Sequence, residues 1–105
     1  MTPFVTSILQ QTFAQPQWAA VTEMLDSECS GNLPLIESQG TNGIERVQCA
    51  ALKISSGSMQ RLAQAISQAQ VDWRDVLVAA GFANDATVHL QWKPELPSPG
   101  SLDSP

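Results

Sequence analysis

Three side chains of this sequence could carry nucleophilic or metal chemistry: the single histidine, His89, and the two cysteines, Cys29 and Cys49. A zinc site needs three or four ligands, usually at short and characteristic spacings. These three residues lie far apart along the chain, so we expect no bound metal and no cofactor. A Cys–His nucleophile pair would form only if the fold brought His89 to one of the thiols.

We therefore expect two unreactive buried thiols, a surface imidazole and no catalytic residue. The alternative is an enzyme or a small-ligand-binding protein that uses Cys49 or His89. The sequence leaves open whether Cys29 lies close to Cys49. It contains no Gly-rich phosphate loop after a predicted strand and no serine in a nucleophile-elbow pattern.

Charge and composition narrow the possible partners. Five Lys and Arg stand against ten Asp and Glu, and only 14% of the residues are charged. Binding to a nucleic-acid backbone needs clustered cations, so the acidic balance disfavours it. No apolar run approaches the length of a membrane span. No Lys or Arg precedes Arg46, which indicates no secretory signal, and we expect a cytoplasmic protein.

The remaining elements are organised around residues 71–82, which contain both a helix start and a helix end. Asp72 is a good N-cap, because its carboxylate can accept from free backbone N–H groups of the first turn. Gly81 can take the left-handed conformation after the last turn, with Phe82 and Leu77 as the apolar pair of a Schellman motif. We predict a central helix over 73–80.

Periodic apolar positions predict further helices over 3–14, from Pro16 to Cys29, over 43–55 and over 58–70. Thr2 and Ser56 or Ser58 are the expected N-caps of two of them. The helix over 43–55 should begin at Asn42, and Gly31 should help to end the helix from Pro16 to Cys29. Residues 31–42 should form a loop whose apolar residues, Leu33, Leu35 and Ile36, tuck into the core.

Residues 87–92 alternate polar and apolar side chains, which suggests a strand, but a lone strand would lack a partner. We favour a short helix that ends at Trp92. The fold class is therefore all-α: a small bundle of four to five short helices in one domain over 1–93. Residues 94–105 are rich in Pro and Ser and should form a disordered tail.

The segment Asp72-Trp73-Arg74-Asp75, followed by Leu77 to Phe82, resembles an uncharacterised family of small proteins from bacteria, including cyanobacteria. In that family the preceding helix also opens with a Gly-rich turn, like Ser55-Ser56-Gly57-Ser58 here. The resemblance covers about residues 44–94. It implies no activity.

The tryptophans give the remaining functional indication. Trp18 lies on a buried helical face, whereas Trp73 and Trp92 fall at helix ends, where an indole can either plug the core or anchor a partner. Trp and Arg are enriched at binding hot spots, so we predict a partner-binding surface at Trp73, Arg74 and Trp92. The predicted function is a protein–protein interaction module, with an unknown protein partner or a second copy of the chain.

Overall fold

The computed structural model describes residues 1–84 and 87–92. Within that part of the chain there are four α-helices and no strand, which confirms the all-α prediction. The helices are α1 (Pro3–Thr12), α2 (Trp18–Glu28), α3 (Gly40–Ser55) and α4 (Met59–Ala80). Short 3-10 turns cover Gln15–Gln17, Ile36–Gln39 and Val88–Gln91. The predicted tail, 94–105, lies outside the described residues.

Side chains at the termini of α1 and α2 satisfy the free backbone groups there. The Thr2 hydroxyl accepts from Val5 N at 3.3 Å, and Pro3 follows it, as the sequence predicts. The end of α2 corrects the prediction, because Gly31 does not take a left-handed conformation. Instead the Asn32 amide donates to Glu28 O at 3.0 Å, and the Ser30 hydroxyl donates to Asp26 O at 2.7 Å.

The connection from α2 to α3 is more helical than predicted. The 3-10 turn at Ile36–Gln39 leads directly into α3, which begins at Gly40, so Asn42 is inside the helix rather than its N-cap. Leu33 and Ile36 are buried, as expected. Leu35 is not buried: it has a left-handed backbone (φ 61°) and is 75% exposed, because that φ turns its side chain away from the core.

The predicted fourth and central helices are the two halves of α4. Asp72 has extended dihedral angles (φ −157°, ψ 101°) that kink the helix between them. Its carboxylate accepts from Arg74 N at 3.0 Å, so Asp72 caps the second half as predicted. Gly81 has φ 80°, and Phe82 N donates to Leu77 O at 2.8 Å, which confirms the predicted Schellman motif.

The core forms mainly where α3 packs along α4. Two cations of α3 also bind the carbonyl end of α4. Arg46 donates to the carbonyls of Phe82 and Ala83, and Lys53 Nζ donates to Ala80 O at 2.8 Å. Positive charge at this end of a helix favours the helix dipole. These contacts fix the position of the second half of α4 on α3.

Candidate functional site

A groove lies where the kink of α4 faces the 3-10 turn that precedes α3. Pro34, Leu35, Ser38 and Gln39 border one side and residues 71–74 border the other, and the groove has a volume of about 290 Å³. We call it the kink groove. The extended conformation of Asp72 opens the groove, because it changes the direction of Val71 relative to Trp73 from the one that a continuous helix would give.

Trp73 forms the floor of the kink groove. Its side chain belongs to the core, with 9% of the residue exposed, and its indole Nε1 donates to Pro34 O at 2.7 Å. This hydrogen bond spans 39 residues of sequence and holds the loop after α2 against α4. The predicted site residue Trp73 therefore shapes the groove and leaves little of its own ring open to a partner.

Leu35 and Val71 supply the open apolar surface of the kink groove. They are 75% and 77% exposed, the largest values among the described exposed large hydrophobic residues. Neither is among the site residues predicted from the sequence. Leu35 was expected in the core, and Val71 stands one residue before the cap of the second half of α4, where the helical pattern is interrupted.

The polar rim of the kink groove is an ion pair. Arg74 Nε lies 3.1 Å from Asp72 Oδ1, and the Arg74 side chain is 74% exposed. Hydrogen bonds from the side chain and backbone of Arg74 lower the pKa of the Asp72 carboxyl, and the side-chain hydrogen bond raises the pKa of the Arg74 guanidinium. Both groups therefore stay ionised near neutral pH, and the guanidinium remains open to solvent.

Trp92, the third predicted site residue, lies away from the kink groove. It is partly buried, and its ring packs 6.0 Å from the ring of Phe82. Phe82 follows the last turn of α4, so Trp92 is separated from Trp73 by the second half of that helix, about 12 Å of helix length. Trp73 and Arg74 thus share one groove, and Trp92 does not border it.

The prediction of a surface imidazole is wrong, because His89 is fully buried. Its Nε2 lies 2.9 Å from Glu45 Oε1, and the Thr2 hydroxyl donates to Glu45 Oε2 at 2.5 Å. The rings of Phe4 and Phe82 pack against the imidazole. This cluster joins the N-terminus, α3 and the Val88–Gln91 turn, a contact over 44 residues that sequence spacing does not reveal.

The described contacts of His89 are with Glu45, Phe4 and Phe82 and include no thiol. Its Nδ1 is buried without a hydrogen-bond partner in the described structure. Burial raises the pKa of the Cys49 thiol to about 12, with a further contribution from the Glu45 carboxylate, and burial alone raises the pKa of Cys29 to about 12. A nucleophilic cysteine needs the opposite shift. Both cysteines are buried and free.

The described residues contain no group of three or more His, Cys, Asp or Glu side chains that could hold a metal ion. Among the same residues, no helix combines the length and apolar character needed to cross a membrane. No family model, curated protein or solved structure matches this chain. What the kink groove can bind is therefore inferred from its own side chains.

Proposed function

We propose that this protein is a protein–protein interaction module whose kink groove binds a partner segment with an apolar side chain flanked by basic residues. The apolar side chain would lie between Leu35 and Val71, above the indole of Trp73. The observation that carries this proposal is the exposure of these two large aliphatic side chains on opposite sides of one groove. Exposed apolar clusters rimmed by polar groups are typical of interaction sites.

The backbone at Leu35 gives further support. A left-handed conformation costs a non-glycine residue about 1–2 kcal/mol, and only Asn and Asp tolerate it well among other residue types. Leucine at this position is therefore unfavourable for folding, and its side chain makes little contact with the core in return. Strained conformations of this kind concentrate at functional sites. A role of Leu35 in partner binding would explain why leucine occupies this unfavourable position.

Charge around the kink groove favours a basic partner. Glu37 and Asp72 are the carboxylates of the two segments that contain the groove residues, and Arg74 is the cation of these segments. Since Arg74 already neutralises Asp72, Glu37 remains to attract Lys or Arg. The net charge of −5 favours the encounter at long range.

Selection of random peptides displayed on phage against the purified protein tests the proposal. We expect the selected peptides to share an apolar residue next to Lys or Arg. Leu35→Ser and Val71→Ser should each weaken their binding about tenfold, as expected for the loss of one buried aliphatic contact. Val78→Ser is the matched control, because Val78 is 66% exposed on α4 but does not border the groove.

Equal loss of binding in all three serine variants, or selection of peptides without basic residues, would contradict this function.

Trp92 stays in the proposal as a second contact for a partner long enough to span the second half of α4. Trp92→Ala therefore tests how far the contact surface extends. A short peptide should bind this variant like the parent protein, and only a longer partner should bind it less well.

The proposal extends to the setting of the protein. We place it in the bacterial cytoplasm, a reducing compartment that suits two buried thiols. The resemblance of residues 72–82 to the uncharacterised bacterial family is part of the same proposal. Mass spectrometry of the protein from its native extract should show both cysteines as unmodified thiols. A Cys29–Cys49 disulfide would argue for an oxidising compartment.

A further inference from the structure

A second groove follows the other flank of α4. Ile54 of α3 and Ala65, Val76 and Ala79 of α4 are its apolar lining, and its volume is about 440 Å³. Ala65 and Val76 are buried, so Ile54 and Ala79 supply the accessible apolar surface. We call it the outer groove. It runs along both halves of α4 and shares no lining residue with the kink groove. A protein bound there would leave the kink groove open.

Charged and polar residues of the outer groove are evenly spaced in the sequence of α4. Arg61 precedes Gln68 by seven residues, and Asp75 follows Gln68 by seven. All three side chains line the outer groove. The Gln68 amide donates to Asp75 Oδ2 at 3.2 Å across the kink, so the two halves of α4 are joined on the side of this groove.

The two ends of the outer groove carry opposite charges. The Arg61 guanidinium forms no ion pair or hydrogen bond with other described residues, so its charge is available to a partner. Asp75 accepts only the neutral Gln68 amide among the described side chains. A groove with a cation at one end and an anion at the other is complementary to its own copy turned end to end.

We propose that the outer groove is the interface of a symmetric homodimer in which two copies of α4 pack antiparallel, with Gln68 at the two-fold axis. Arg61 of one subunit then lies opposite Asp75 of the partner subunit, and this pairing occurs twice. The alanines of the groove allow the close approach of two helices, at an axial distance of about 8–10 Å. The inference is independent of the function proposed for the kink groove.

The small size of the interface predicts a weak and reversible dimer. Stable interfaces use about 20–30 residues from each partner, and the outer groove offers far fewer. Sedimentation equilibrium from about 10 µM to about 1 mM covers the range in which such interfaces form. We expect the average mass of the wild-type protein to rise from that of a monomer toward that of a dimer.

Charge reversal tests the pairing. Arg61→Glu and Asp75→Arg each place like charges opposite one another twice in the dimer, so each should lower the association constant at least about tenfold. The double variant restores both pairs and should associate within about threefold of the wild type. Glu23→Arg, at an exposed position of α2, makes an equal change of charge outside the groove and should not weaken association.

A cysteine introduced at the axis provides an independent measurement. Gln68→Cys should give a disulfide-linked dimer under mild oxidation, whereas Gln10→Cys on exposed α1 should not. Circular dichroism of each variant establishes that it is folded. A wild-type protein that is monomeric at the highest concentration overturns the proposal. A dimer in which the double variant is no stronger than the single variants, or in which Gln68→Cys does not crosslink, overturns this interface.

Discussion

Replacing Leu35 with asparagine should stabilise the protein while it weakens partner binding. The left-handed backbone costs leucine about 1–2 kcal/mol, and asparagine tolerates this conformation. Full burial of a leucine contributes about 1.5–3 kcal/mol, but Leu35 is 75% exposed, so the substitution loses only about 0.4–0.8 kcal/mol. The expected net gain in the free energy of unfolding is about 1 kcal/mol.

Leu35→Ala is the matched control, because alanine also removes the apolar side chain but keeps the Cβ that makes the left-handed conformation unfavourable. Urea unfolding followed by circular dichroism measures the difference. A gain of about 1 kcal/mol should raise the Tm by roughly 4–8 °C in a domain of this size. Both variants should bind selected peptides more weakly than the wild type, but only Leu35→Asn should be more stable. A Leu35→Asn protein that unfolds at or below the urea midpoint of Leu35→Ala would refute the reasoning.

Other properties of the fold can be tested by similar means. Gly81→Ala should lower the free energy of unfolding by about 1 kcal/mol, because Gly81 has φ 80°, whereas Gly31→Ala should be neutral in the same urea titration, since Gly31 has an ordinary φ and open space for a Cβ. Stability should fall as the pH rises above about 9, because unfolded thiols ionise near their pKa of 9.0 whereas folded Cys29 and Cys49 keep their protons to about pH 12. Thermal melts of a variant with both cysteines replaced by alanine should show a smaller loss over the same pH range. Truncation after Lys93 should leave the Tm unchanged, since residues 94–105 hold little apolar surface to bury, and a drop of several degrees would show that the tail docks.

Local chemistry explains the parts of the fold that the sequence predicts well. The caps at Thr2, Ser58 and Asp72 and the Schellman motif at Gly81 each depend on a few neighbouring residues. Patterns of that range can be recognised directly. The Asn42 cap failed although it is also local, because the preceding 3-10 turn runs into α3 and removes the need for a cap there.

Contacts between distant segments account for what sequence reasoning missed. Arg46 binds Phe82 O, 36 residues later, and no local pattern indicates this contact. His89 looked like a surface residue, yet Glu45 lies 44 residues before it. Leu35 is of a residue type that is usually buried, and only its left-handed backbone directs its side chain into solvent. The sequence predicted Trp73 and Arg74 as site residues, but the apolar walls of the kink groove depend on this tertiary arrangement.

The most direct test of the central claim is to map where a selected peptide binds. In a titration followed by ¹H–¹⁵N NMR, the indole N–H of Trp73 and the backbone amides of Leu35, Val71 and Arg74 should shift together and saturate at one peptide per chain. The amide of Val78, which is exposed outside the kink groove, should change little. Saturable shifts centred on Val78 or on the residues around His89, with those of the kink groove unchanged, would contradict the account.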